Sequence, residues 1–408
     1  MTVRFDDIRA AAERIAGGVY LSPCSRSQAL SLATGCRMWC KLDYLQRTGS
    51  FKERGARNAM MQLDDARKAR GVVAASAGNH ALGLAYHGSL LNIPVTVVMP
   101  RFAPLTKVSN CRALGACVVQ HGDDFGQAVE KARQLEAEQG LTYIHGYDDP
   151  AVIAGQGTMG LEILEQVPDV DMVIVPIGGA GLIAGVALAI KTLKPSVRVI
   201  GVEPMRAACY TAALAAGKPV KVYLSPTLAD GLSVPIVGAN AFEVARPHVD
   251  QVVTVTEREI ALAVLRLVEM EKSVVEGAAA APLAACLAGK LPEMADRNVV
   301  IPLCGGNIDT PVLGRIIERG LAADGRLCRF DATISDRPGG LAQVAAVIAE
   351  TGASIRDIDH DRAFAGEDLA SVKIHCVVET RDAEHIHTLR DRLRLEGFTV
   401  DFHEFDKD

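Results

Sequence analysis

The chain has 408 residues, 49% hydrophobic and 23% charged, which suits two folded domains and excludes a disordered chain. Its 43 Lys and Arg against 49 Asp and Glu leave a net charge of -6 with no basic block, which disfavours a nucleic-acid or anionic-membrane partner. Ten cysteines are scattered singly, without C-x-x-C or zinc spacing, so free thiols in a reducing cytoplasm are expected, and no metal site.

In chain order, Ile8, Ala11, Ala12 and Ile15 share a helical face behind Asp6 and Asp7, an amphipathic helix with an acidic entry rather than a secretory signal. The stretch SFKERGARNAM follows, where Lys52 by itself reads as one cation on a solvated helix. From about residue 70, short apolar runs alternate with helical segments: GVVAAS, IPVTVVMP, ACVVQ, DMVIVPIGG and VRVIGVE each precede one. Apolar strands in that rhythm predict a parallel sheet covered on both faces, a doubly wound α/β fold with its site beyond the strands' carboxyl ends. GAAAAPLAACLAG is too short to span a bilayer and reads as a buried helix around Pro282. Domains are expected at 1–321 and 328–408, joined by a linker at 322–327. In the second, strands at Cys328 to Ile334, Ser354 to Arg362, Leu369 to Val378 and Phe398 to Phe405 alternate with helices at Pro338 to Thr351 and Ala383 to Glu396. That is the ferredoxin-like order βαββαβ.

Three glycine-marked turns stand out. SAGNHALG opens a helix after an apolar strand; Ser76 and Asn79 can satisfy helix amides, and those amides can bind an anion. PIGGAGLIAG offers side-chain-free amides at Gly178, Gly179 and Gly181 to a phosphate. The same loop fits a dinucleotide fingerprint through Gly179, Gly181 and Ala184, with Glu203 ending the next strand, so by itself it leaves both ligands open. VIPLCGGNID places Cys304 at a strand end, with Asn307 or Asp309 near the cap of the following helix.

Taken together and in this order, SFKERGA, SAGNHALGLA, GGAGLIAG and CGGNID resemble the pyridoxal-phosphate enzymes of fold type II, and within them the serine/threonine dehydratases, over about residues 5 to 320. The resemblance implies a two-lobed catalytic domain of mostly parallel sheets and pyridoxal 5'-phosphate as cofactor. Lys52 would bind its aldehyde covalently and later move the Cα proton, as a desolvated amine can. Gly178, Gly179, Ala180, Gly181 and Leu182 would cradle the phosphate, Phe51 would pack on the ring, Asn79 would bond the ring hydroxyl and Cys304 would face the ring nitrogen. Ala180 replaces the family's third glycine, which a methyl group permits at negative φ. Ser76, Ala77, Gly78, Asn79 and His80 would take the substrate carboxylate, mainly through backbone amides. Elimination of the β-hydroxyl from L-threonine or L-serine then gives a 2-oxo acid and ammonia.

Departures sharpen this reading. Serine racemases resemble the chain but carry a serine where Ala77 stands, and alanine has no proton to give the opposite face of Cα. Relatives with a divalent cation place a second carboxylate where Cys209 stands, leaving Glu203 alone. Asp230, Gly231 and Glu276 sit where relatives line the cofactor's far edge. YLSPC and KLDYLQ replace the more usual TP and KLEN. The C-terminal part resembles an ACT domain, a regulatory amino-acid-binding module, with Asp336, Arg337, Pro338, Gly339, Gly340 and Leu341 as the effector loop and Pro338 in the first helical position. The layout matches medium-length threonine dehydratases, which implies a homodimer or homotetramer, with isoleucine or valine feedback as one option. The other enzyme readings are a serine racemase, a 3-hydroxyaspartate dehydratase, a threonine or cysteine synthase and a nicotinamide-dependent oxidoreductase. From another class, the chain reads as a non-enzymatic amino-acid sensor.

Overall fold

A computed structural model describes residues 3–361 and 370–403. The chain divides into two compact units, Met1–Thr310 and Pro311–Asp408. In the first, ten strands form in chain order: β1 (Cys24–Arg26), β2 (Arg37–Lys41), β3 (Val72–Ala75), β4 (Val95–Met99), β5 (Cys117–Gln120), β6 (Thr142–Tyr143), β7 (Met172–Pro176), β8 (Arg198–Pro204), β9 (Gln251–Val255) and β10 (Asn298–Pro302). They build two sheets, ordered β1-β2-β10-β7-β8-β9 and β5-β4-β3-β6. Every pairing is parallel except β1 with β2. The α/β, two-lobed expectation is met, and β3, β7 and β10 are buried at every position, as helices on both faces require.

With few aromatic side chains available, helices pack backbone to backbone. A Cβ added at Gly155 would lie 2.7 Å from the Arg54 carbonyl oxygen and from Gly55 Cα, so helices Lys52–Met61 and Pro150–Gln166 touch through two glycines. A Cβ at Gly185 would lie 2.3 Å from the Ile153 carbonyl oxygen, bringing helix Gly181–Leu193 equally close to Pro150–Gln166. The N-terminal helix Phe5–Ile15 buries Ile8, Ala11 and Ile15, the stripe its spacing predicts. Gly277–Leu287 is a buried helix that contains Pro282. No helix among the described residues is long and apolar enough to cross a membrane.

The second unit begins with helix Thr310–Ala323, followed by β11 (Leu327–Ser335), helix Gly340–Glu350, β12 (Ser354–Asp361), β13 (Ser371–Glu379), helix Ala383–Leu395 and β14 (Thr399–His403). Its sheet runs β12-β13-β11-β14, antiparallel throughout. The compact division falls at Thr310, where helix Thr310–Ala323 starts and leads toward β11. The expected strand ends at Arg362, Leu369 and Phe405 lie outside the described residues. Pro338 is not the first helical residue as expected. Gly339 takes φ +98, outside the helical region, and the helix starts after it.

Candidate active site

The site forms where the chain leaves β3, β7 and β10 at their carboxyl ends, as parallel sheets favour. The Lys52 loop is stitched to the end of β10. Phe51 N donates to the Cys304 carbonyl at 3.0 Å, Gly306 N donates to Gly49 O at 2.9 Å, and Ser50 forms a bridge with Gly305. Glu276 N donates to Gly305 O at 3.0 Å, tying a third segment to the same turn.

Lys52 begins helix Lys52–Met61, and its Nζ donates to the Gly146 carbonyl at 2.6 Å and stands 5.2 Å from the Phe51 ring centroid. Burial brings its pKa down to about 8, opposed by Cys304 and Glu276. Burial also raises Cys304 well above the usual thiol range, so it stays a neutral thiol. The helix behind Lys52 is anchored by a buried ion network. Arg54 donates to both Asp43 oxygens at 2.7 and 2.8 Å and to Glu162 Oε2 at 2.8 Å, while Ser22 Oγ donates to Asp43 Oδ1 at 2.5 Å. Lys41 Nζ donates to Ser22 O at 2.6 Å. The departures YLSPC and KLDYLQ thus meet each other: Ser22 and Asp43 are partners beneath helix Lys52–Met61.

The loop after β7 leads into helix Gly181–Leu193, whose first-turn amides receive no side-chain cap, the arrangement that binds anions. Tyr147 dictates two of its glycines. A Cβ at Gly179 would lie 2.2 Å from the Tyr147 ring, and one at Gly181 2.4 Å from its carbonyl oxygen. Gly178 is also crowded, with Leu232 Cα 3.0 Å from an added Cβ, and Leu182 is buried. Ala180 does not take the negative φ expected of it. It sits at φ +72, ψ -1, where an L-residue is strained by about 1 kcal/mol. Ala180→Gly relieves that strain and loses part of the gain to unfolded-chain entropy, so a net stabilisation of about 0.5 kcal/mol is expected in urea denaturation.

Helix Asn79–Leu91 likewise starts without a side-chain cap, leaving the amides of Asn79, His80 and Ala81 turned toward the site. Ser76 Oγ accepts from Gly78 N at 3.3 Å, which shapes the turn through Ala77. The His80 ring points inward instead. Its Nε2 meets the Ile144 carbonyl at 3.0 Å, and burial, with Lys52 nearby, pushes its pKa down to about 3. His80 therefore offers the site its backbone, with a neutral ring. Asn79 Nδ2 donates to both Glu276 oxygens, at 2.9 and 3.0 Å, and burial lifts the Glu276 carboxyl to about 7. A cavity of about 180 Å³ opens beside Asn79 and Glu276, rimmed by Lys107, Asp230, Gly231 and Asn307, with Lys107 and Asp230 paired at 3.5 Å.

Glu203 is fully committed. Its oxygens accept from Tyr210 N at 2.6 Å, Thr211 N at 2.8 Å and Thr211 Oγ at 2.7 Å, capping helix Cys209–Ala216. Cys209 Sγ donates to Gly178 O at 3.5 Å. Among the described residues, no group of three or more His, Cys, Asp or Glu side chains is placed to hold a metal ion. In the second unit, Asp336, Arg337, Pro338 and Gly339 form an exposed turn, with Asp336 N donating to Ala370 O at 3.0 Å, and Leu341 is also exposed. Gly340 is buried, and its helix follows.

Gly146, Tyr147 and Asn307 are additions to the expected set. Asn307 stood inside a glycine-marked turn, but its partners Thr48 and Asn79 are distant in sequence. Tyr147 carried no local signal.

A family model described as pyridoxal-phosphate dependent enzyme matches residues 15–305. The chain is 42% identical to an L-threonine ammonia-lyase of Thermotoga maritima over 398 residues, covering 98% of this chain and 99% of that one. It is similar to the processed threonine deaminase isoform 2 of Solanum lycopersicum, at 37% identity and a TM-score of 0.73, over 77% of this chain and 91% of that one. It is also similar to maize serine racemase, at 35% identity and a TM-score of 0.74, over 79% and 98%. The residues fit the cofactor: a desolvated lysine for its aldehyde, a glycine-flanked helix start without a side-chain cap for its phosphate, and a neutral thiol for its ring. The chain belongs to the pyridoxal-phosphate dependent enzymes.

Proposed function

We propose that this protein is a threonine ammonia-lyase, which converts L-threonine, and also L-serine, to 2-oxobutanoate or pyruvate plus ammonia. The observation that carries this reading is the desolvated Lys52 amine, held at the Gly146 carbonyl in a site that also contains the neutral Cys304. The high-coverage similarity to a lyase so named supports the substrate class. When bound, the cofactor withdraws electrons from the substrate Cα. The amides of Asn79, His80 and Ala81 hold the substrate carboxylate at a helix start. Lys52 Nζ takes the Cα proton as a general base. Cys304 stays protonated and gives the ring nitrogen no full charge, which discourages a long-lived carbanion and favours prompt loss of the β-hydroxyl. Ala77 supplies no proton for the opposite face of Cα, which favours dehydration over racemisation. The released enamine hydrolyses in water to the 2-oxo acid and ammonia.

Cofactor capture by Lys52 needs the neutral amine. The rate of covalent reconstitution of cofactor-free protein therefore rises about tenfold per pH unit up to about 8 and levels off above, followed by visible absorbance. A rate that goes on rising tenfold per pH unit to pH 9 and beyond, without levelling, contradicts a desolvated Lys52. 2-Oxo acid release from both amino acids tests the activity itself; no release from either, with the cofactor bound, overturns it.

We infer further that residues 1–321 are catalytic, 322–327 a linker and 328–408 an ACT-like regulatory domain that binds an amino-acid effector at Asp336 to Leu341. The antiparallel order β12-β13-β11-β14 and the exposed turn before helix Gly340–Glu350 support this. Ten unpaired thiols favour a reducing cytoplasm, and self-association as a homodimer or homotetramer goes with the same reading.

A further inference from the structure

Asn307 follows Cys304 by three residues and links two segments of the site. Its Nδ2 donates to the Thr48 carbonyl at 2.6 Å and to Asn79 Oδ1 at 2.8 Å. A main-chain carbonyl only accepts, so Thr48 fixes which end of the Asn307 amide faces it. The second hydrogen on that nitrogen then requires an acceptor, which turns Asn79 Oδ1 toward Asn307. Asn79 Nδ2 is left facing Glu276, at 2.9 and 3.0 Å from its two oxygens. The reversed Asn79 amide would set nitrogen against nitrogen at Asn307 and, with Glu276 ionised, oxygen against oxygen there. The glycine at position 49, which takes φ +77, leaves the space that Asn307 occupies: an added Cβ there would lie 2.7 Å from Asn307 Oδ1.

We infer that Asn307 is a positioning residue that locks the Asn79 amide with its nitrogen toward the cofactor's ring oxygen, and so sets how much negative charge that oxygen carries. The inference rests on the Asn79 contact with the ring hydroxyl implied by the family resemblance. Nearly equidistant from both Glu276 oxygens, Nδ2 can satisfy the carboxyl with one hydrogen and keep the other for the ring. A donor there favours the deprotonated ring oxygen; its loss favours the neutral hydroxyl, which absorbs at shorter wavelength.

The test is the absorption spectrum of the substrate-free holoenzyme for wild type, Asn307→Asp, Asn79→Ala and the double variant. Aspartate keeps the shape of asparagine but only accepts, so it repels the Thr48 carbonyl and reverses Asn79. The ratio of the visible to the near-ultraviolet cofactor band is expected to fall about tenfold in Asn307→Asp. Asn79→Ala should lose a similar amount and the double variant no more, because both act through one hydrogen bond. A wild-type ratio in Asn307→Asp, with the loss present in Asn79→Ala, overturns the role of Asn307 and leaves the Asn79 contact standing. A wild-type ratio in both removes the Asn79 contact and the inference with it. Should Asn307→Asp fail to fold, Asn307→Ala removes the same bonds without a charge; a fall of about threefold supports the lock, and an unchanged ratio overturns it.

Discussion

Lys52→Ala lowers 2-oxo acid release from L-threonine by at least about 10³-fold while leaving the melting temperature close to that of wild type. The two halves of this expectation have separate causes. Activity is lost because alanine has neither an amine for the cofactor aldehyde nor a base for the Cα proton. Stability is kept because Lys52 makes one hydrogen bond, to the Gly146 carbonyl, and its removal spares the fold the cost of a desolvated cation. The measurement pairs a 2-oxo acid assay with thermal unfolding of both proteins in cofactor-free form, so that the wild type's covalent bond does not bias the comparison. Full activity in the variant excludes Lys52 as the base. Lost activity together with a collapsed melting temperature would make the lysine structural.

Arg54→Ala has the largest expected effect on stability, a loss of about 3–5 kcal/mol. Arg54 and Asp43 are fully buried, and Glu162 is largely so. Burial opposes the charge on each, but the pairing prevails: Arg54 holds the Asp43 carboxyl below its ordinary range, while Asp43 and Glu162 raise the guanidinium. Deleting the cation strands two carboxylates, of which Asp43 then has only the Ser22 hydroxyl as its direct partner, with Lys41 still facing Glu162. The expected fall in melting temperature is about 10 °C. Arg54→Lys recovers only part of it, since an ammonium cannot engage Asp43 through two parallel bonds. A melting temperature within about 1 °C of wild type in Arg54→Ala would show that water enters and solvates the carboxylates.

Those residues also mark how much could be read from sequence. The strands β3, β7 and β10 were legible because burial on both faces leaves an unbroken apolar run. The antiparallel pair β1 and β2 was not, since CSR and RMWCK mix charge with apolar residues and the pair is held through β2 against β10. The Gly178 loop stood out by its glycines, but Lys52 and Cys304 were picked out only by the order of four motifs, since each by itself reads as an ordinary residue of its type. The conformation of Ala180 could not be read, because a left-handed residue ahead of helix Gly181–Leu193 runs against alanine's own preference. The links from Asn307 to Thr48 and from Arg54 to Glu162 join segments far apart in the chain, and no local pattern announces them.

The glycine seam between helices Lys52–Met61 and Pro150–Gln166 bears on how this scaffold can be re-engineered. At Gly55 and Gly155 the backbones touch, so no side chain is there to be exchanged, and even a methyl group would prise the helices apart. Laboratory selection for a new amino acid is thereby steered away from the lysine's support. It has to draw its variation from the turns at Gly78 to Asn79, Asp230 to Gly231 and Gly306 to Asp309, which border open space.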